Sequence, residues 1–312
     1  MNGLLTYSIV QLDASHLEEI CEDIREQYEK GIARYPLFCT KLVPEGNPPV
    51  DKAAIQAADF ALFRDRLHQM GLPCGILVQC TIGHGYPLNF PSPFRRYKNL
   101  NDGDEISTVC PSDEGFRAYI KNAMRTLAAA APDVMMVDDD FRLLFRGGNG
   151  CACSWHMARF NELARTSLTR EELFAHLEKE NDGEYADIYV KTQGEPILAA
   201  ARAMREGINE ANPSLPCAYC AAGNNVEFGT EIAEILAGEG NPTVVRISNG
   251  TYVPAGTRNF TKDFYRAAAQ IAHLKGKVTH ILAESDSCPQ NRYAMSASWF
   301  HSPKRRGGAA PA

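Results

Sequence analysis

Along this chain, short apolar runs alternate with longer amphipathic stretches. The runs at residues 5–12, 36–42, 74–80, 134–137, 217–221, 243–247 and 278–283 have the length and flanking residues of strands. The stretches at 15–32, 52–70, 114–131, 227–236 and 259–274 carry apolar residues at three- and four-residue spacing, the period of a helix with one buried face. Ser15 opens the first helix as a cap, and Gly71 closes the second, where a left-handed residue is needed. Residues 81–113 read as a long loop rich in aromatics, Pro and Gly, suited to walling a pocket. Residues 156–211 read as a helical stretch with breaks, the largest insertion between strands.

Strand followed by helix, repeated seven times, is the sign of βαβ units and a parallel sheet. The expected fold is α/β, a (β/α)8 TIM-type barrel lacking strand eight and so truncated or incomplete. An open doubly wound sheet tolerates seven strands, but no Gly-rich phosphate loop follows the first run.

The chain of 312 residues suits one large domain, expected over residues 1–302, with a biased, unpacked tail at 303–312. A net charge of −6 offers no basic surface for a polyanion, which argues against nucleic acid as a partner. No apolar run reaches the roughly 18 residues of a membrane span, so no membrane role is expected. Ten cysteines in a chain this large, with no signal-peptide pattern at its start, point to a reducing, cytoplasmic location.

Candidate chemistry gathers just past the carboxyl ends of the strands, where a barrel builds its active site. Asp138, Asp139 and Asp140 follow the fourth run, with Arg142 and Arg146 close behind. Three adjacent carboxylates repel one another and call for a raised pKa, a cationic neighbour or a metal; capping a turn is the plainer alternative. Glu284 ends the seventh run, and its plainer role is an ion pair with Arg292 or another basic neighbour. Two carboxyl groups across a barrel mouth can flank an anomeric carbon, and a separation of ~5 Å predicts retention of configuration. Glu45, His84, Asn224, Asn225, Asn249, Tyr252 and Arg292 add polar groups of the kind that meet sugar hydroxyls. Trp299 could stack on a sugar ring or fill core.

A separate constellation is Cys151, Cys153 and His156, a Cys-x-Cys-x-x-His run before a helix, with Cys110 as candidate fourth ligand of a structural zinc. The alternative is that these are small buried hydrophobes, as expected for Cys21, Cys39, Cys74, Cys217 and Cys220.

In these residues the chain resembles the family 42 β-galactosidases, within the clan of retaining glycosidases whose catalytic groups sit on strands four and seven. The family carries an Asp-Asn-Glu run after strand four, and Asp138-Asp139-Asp140-Phe141 matches it in place. The match sets Asp140 on the acid/base position, one methylene short, and Asp139 where the family has the Asn that contacts the sugar 2-hydroxyl. Many members also hold zinc through one Cys before a helix and a Cys-x-Cys-x-x-Cys run. Cys110, Cys151, Cys153 and His156 match, with His replacing the last Cys.

The resemblance implies a retaining β-glycosidase acting on β-linked galactosides, mannosides or similar sugars, Glu284 being the nucleophile and Asp140 the acid/base. Asp138, Asp139, Arg142, Asn224, Asn225, Tyr252 and Arg292 would contact substrate. It further implies a structural zinc, no organic cofactor, a carbohydrate as the partner, and a trimeric homo-oligomer. The rival expectations are a catalytically impaired or truncated carbohydrate-binding barrel, and a metal-dependent hydrolase using Asp138 to Asp140.

Overall fold

The computed structural model describes residues 6–84, 86–144, 149–179, 183–221, 228–248 and 257–284, excluding the side chains of 257–260. Seven strands form one parallel sheet: β1 (Tyr7–Gln11), β2 (Tyr35–Lys41), β3 (Gly75–Gln79), β6 (Val134–Val137), β7 (Cys217–Cys220), β8 (Val244–Ile247) and β9 (His280–Ala283). They pair in chain order, each with the next, as in a barrel laid down strand by strand. The result is a curled, open barrel of the (β/α)8 type, one strand short among the described residues, as the periodicity predicts.

The helices that return the chain are α1 (Leu17–Glu29), α2 (Lys52–Gln69), α3 (Glu114–Ala129), α4 (Ser154–Ala164), α5 (Arg170–Lys179), α6 (Glu184–Ala211), α7 (Gly229–Ala237) and α8 (Thr257–Leu274). The stretch expected to be helical with breaks is thus three helices, α4 to α6. The stretch expected to be loop holds a short antiparallel hairpin, β4 (Arg96–Lys98) with β5 (Glu105–Val109). Helix starts follow local chemistry: Asp51 accepts from Ala54 N at 3.0 Å to cap α2, and Asp113 accepts from Phe116 N at 2.9 Å to cap α3. The other oxygen of Asp113 accepts from Arg95 N at 2.9 Å, tying that helix start to the hairpin.

Alternation along the strands sorts side chains onto two faces. The outer face, with Phe38, Ile76, Val78, Met135, Val137, Tyr219 and Val245, packs under the helices together with Phe60, Phe63 and Leu67 of α2. Full burial of each such side chain stabilises the fold by roughly 1.5–3 kcal/mol. The inner face carries Leu37, Cys39, Leu77, Val134, Met136, Ala218, Cys220 and Val244 as a second apolar cluster. Gly75 belongs to that layer by necessity, because a Cβ there would lie 2.5 Å from the Val134 carbonyl oxygen and 2.8 Å from Leu37 Cδ2. At Gly207 of α6 a Cβ would lie 2.1 Å from the Lys121 carbonyl oxygen, which is how closely α6 approaches α3. Among the described residues, no helix is long and apolar enough to cross a membrane.

Candidate active site at the carboxyl end of the sheet

The inner face changes character at its carboxyl rim. Stepping two residues at a time, Leu77 leads to Gln79, Met136 to Asp138, Val244 to Arg246 and Leu282 to Glu284. Four polar side chains thereby crown an apolar lumen. They form one chain of contacts: Gln79 Nε2 donates to Asp138 Oδ2 at 2.9 Å, Arg246 Nη2 to Asp138 Oδ1 at 3.1 Å, and Arg246 Nη1 to Glu284 Oε2 at 2.8 Å. Arg246 is buried, and burying a guanidinium is tolerable only because both its ends meet carboxylates.

The three aspartates have three different environments. Asp138 is 3% exposed. Burial opposes its ionisation, yet His84, Arg246, the Asp139 backbone N–H and Gln79 together hold it below the ordinary carboxylate range. Asp139 moves the other way, raised first by burial and then by the Asp138 charge, against the pull of Arg142, Arg246 and His84. Its Oδ1 is buried without a hydrogen-bond partner among the described residues, and its Oδ2 lies 3.9 Å from Arg142 Nη1.

Asp140 is fully buried and turned toward the loop after β3. Its Oδ2 accepts from Thr81 Oγ1 at 2.9 Å, Ile82 N at 2.7 Å and Gly83 N at 3.4 Å, and its Oδ1 from His84 N at 2.7 Å. The residue matched to the acid/base position is thus engaged by four donors inside the protein. Asp140 anchors a loop. Asp140→Ala is expected to leave those donors unsatisfied and to cost about 3 kcal/mol or more, read as a lower urea midpoint. An unchanged midpoint would remove the anchoring role.

Of the expected site residues, Asp138 and Glu284 converge on Arg246, and Asp139 stands beside Arg142. Glu284 pairs with Arg246, while Glu45 pairs with Lys52 at 2.9 Å. Asn224, Asn225, Asn249, Tyr252, Arg292, Trp299, Arg146 and the 303–312 tail lie outside the described residues. Gln79 and Arg246 were not singled out by sequence reasoning. The signal was present in Arg246, a charge inside the apolar run Val244–Ile247.

The cysteine constellation assembles as the spacing predicts. Cys110, Cys151, Cys153 and His156 are all buried, with ligand atoms within 4.8 Å of one another, so the group could hold a metal ion. Cys110 Sγ lies 3.8 Å from both Cys151 Sγ and Cys153 Sγ, and His156 Nδ1 lies 3.6 Å from Cys110 Sγ and 3.3 Å from Cys153 Sγ. Ligands at ~2.3 Å around a tetrahedral ion are separated by about 3.8 Å, so the donors fit such a centre in type and in spacing. Burial works to lower the His156 imidazole, but the facing Cys110 and Cys153 thiols overcome it and raise it to about 9, so the cluster draws positive charge. Gln193 of α6 clamps the Cys151 backbone from both sides, accepting from its N at 2.8 Å and donating to its O at 3.0 Å. The cluster therefore joins the hairpin, the start of α4 and the middle of α6.

No protein-family model matches the sequence, and no curated protein matches it. Solved structures do. A β-galactosidase from Bacillus circulans sp. alkalophilus superposes with a TM-score of 0.52 at 14% identity, covering 83% of this chain and 42% of its own. The likeness is one of fold. A GH53 catalytic domain from Ignisphaera aggregans gives 0.46 at 12% identity over 98% of this chain and 75% of that one. Morphinone reductase gives 0.41 at 9% over 81% and 74%. The chain thus spans less than half the length of the galactosidase it matches.

Proposed function

We propose that the protein hydrolyses β-linked glycosides with retention of configuration, in the manner of the family 42 β-galactosidases, on galactosides, mannosides or related sugars. The observation that carries this reading is the convergence of Glu284 and Asp138 on one buried guanidinium at the carboxyl rim of a (β/α) barrel, with Asp139 next to Asp138. Glu284, held by Arg246, is the nucleophile: its oxygen bonds to the anomeric carbon as the glycosidic C–O bond breaks. Asp139 takes the acid/base role in place of Asp140. Its raised pKa favours the protonated acid that the departing oxygen needs, and as the base it then accepts a proton from the water that releases Glu284. Asp138, held ionised by its neighbours, orients Arg246 and can accept from a sugar hydroxyl.

The same reading takes Arg142, Asn224, Asn225, Tyr252 and Arg292 as substrate contacts, and gives the Cys110, Cys151, Cys153 and His156 centre a structural zinc with no organic cofactor. The donor set is of the closed, four-ligand type, which leaves no position for substrate and so serves to hold segments together. Association into a trimer and a cytoplasmic location belong to this proposal as well.

Turnover of chromogenic β-galactosides and β-mannosides, with the anomer of the first-formed product read by NMR, tests it. A β-product is expected. An α-product would replace retention by inversion, and no turnover across the panel would end the glycosidase reading.

A further inference from the structure

The rim holds a second grouping of donor atoms, in which His84 joins Asp138 and Asp139. His84 Nδ1 lies 3.6 Å from Asp138 Oδ2 and 3.8 Å from Asp139 Oδ1, and the three atoms fall within 4.8 Å of one another. At these separations a protonated His84 forms ion pairs with both carboxylates, and a neutral one offers its ring nitrogen to an ion in the proton's place. Around a first-row divalent ion, with ligands at ~2.1 Å, neighbouring donors stand about 3.0–3.5 Å apart, so the two His84 separations need to close by only a few tenths of an ångström to seat such an ion.

Two further observations point the same way. Asp139 Oδ1 is buried and lacks a hydrogen-bond partner among the described residues. The segment carrying His84 is fixed, since Asp140 accepts from the backbone N–H groups of Ile82, Gly83 and His84 itself. The imidazole is thus delivered to the aspartates by a frame built for that purpose. Asp138 Oδ2 accepts from Gln79 and keeps a second lone pair, while its Oδ1 is engaged by Arg246.

We propose that His84, Asp138 and Asp139 bind one divalent cation of the first transition row at the mouth of the barrel, apart from the cysteine centre. One nitrogen and two carboxylate oxygens suit Mn2+ or Zn2+ better than a soft thiophilic ion. The half-exposed His84 leaves the outer side of the ion open to water or to a sugar hydroxyl. This site shares Asp138 and Asp139 with the glycosidase reading and competes with it, because a bound cation holds Asp139 ionised.

Mn2+ titration of the purified protein, with the cysteine centre left intact, tests it through loss of the free-ion EPR signal. One Mn2+ per chain is expected. His84→Ala and Asp139→Asn are each expected to weaken binding by at least about tenfold, whereas His68→Ala, in the separate His68, Cys74 and Asp133 grouping, leaves it unchanged. Circular dichroism checks that the variants fold, and His84, half exposed, is the substitution least able to disturb the core. Equal Mn2+ affinity in wild type, His84→Ala and Asp139→Asn would overturn the proposal, as would no binding at millimolar Mn2+. Mn2+ binding without glycoside turnover keeps the cation site and removes the glycosidase; turnover without Mn2+ binding does the reverse.

Discussion

Glu284→Gln is expected to reduce kcat on aryl β-glycosides by at least roughly a thousandfold, about 4 kcal/mol of transition-state stabilisation. The amide keeps the volume of the carboxylate and can still accept from Arg246 through its carbonyl oxygen, so the fold should survive while the nucleophile is gone. A melting temperature near that of wild type separates lost chemistry from lost structure. In Glu284→Gly, added azide should restore part of the turnover by attacking the vacated anomeric face, and it should yield the opposite anomer. Wild-type kcat in Glu284→Ala would dismiss the residue from the reaction, and Asp138 and Asp139 would then need another partner.

Stripping the cysteine centre is expected to have the largest effect on stability. Metal analysis of the purified protein should find one zinc per chain at this centre, lost in Cys151→Ser and Cys153→Ser. Removing the ion, by chelation or by either substitution, exposes three clustered sulfurs and a buried imidazole to one another with no central charge. The cost is expected to be on the order of 5 kcal/mol, a fall of roughly 8 °C in melting temperature. The loss should begin in the hairpin and α4, because Cys110 and Cys151 tie those segments together and Asn99 bridges to Cys151. Protein that contains no metal and melts at one temperature with or without chelator would return these cysteines to the role of small buried hydrophobes.

The parallel sheet was legible because its strands are nearly unbroken apolar runs, such as Val134–Val137, set between amphipathic helices. The hairpin was not. Arg96–Lys98 is three residues long with charges at both ends, and it offers neither period nor apolar run. Its one signal was the turn at Asn101, Asp102 and Gly103, where Gly103 takes φ +80°. Four cysteine and histidine ligands could be grouped from spacing alone, since two of the intervals are local and metal chemistry restricts the residue types. The aspartate run resisted the same treatment. Sequence placed all three at the end of β6, but which of them faces the lumen depends on where the chain leaves the strand. Residues 79, 138, 246 and 284 share the inward parity, whereas Asp140 comes after the turn and folds back onto the 81–84 loop.

The apolar plug beneath the rim has a kinetic corollary. Leu37, Val134 and their neighbours pack so closely that even a methyl group at Gly75 would not fit, so this layer is a floor under the polar crown. A sugar resting on that floor occupies the place the next substrate must take, so inhibition by the released sugar should be competitive with substrate.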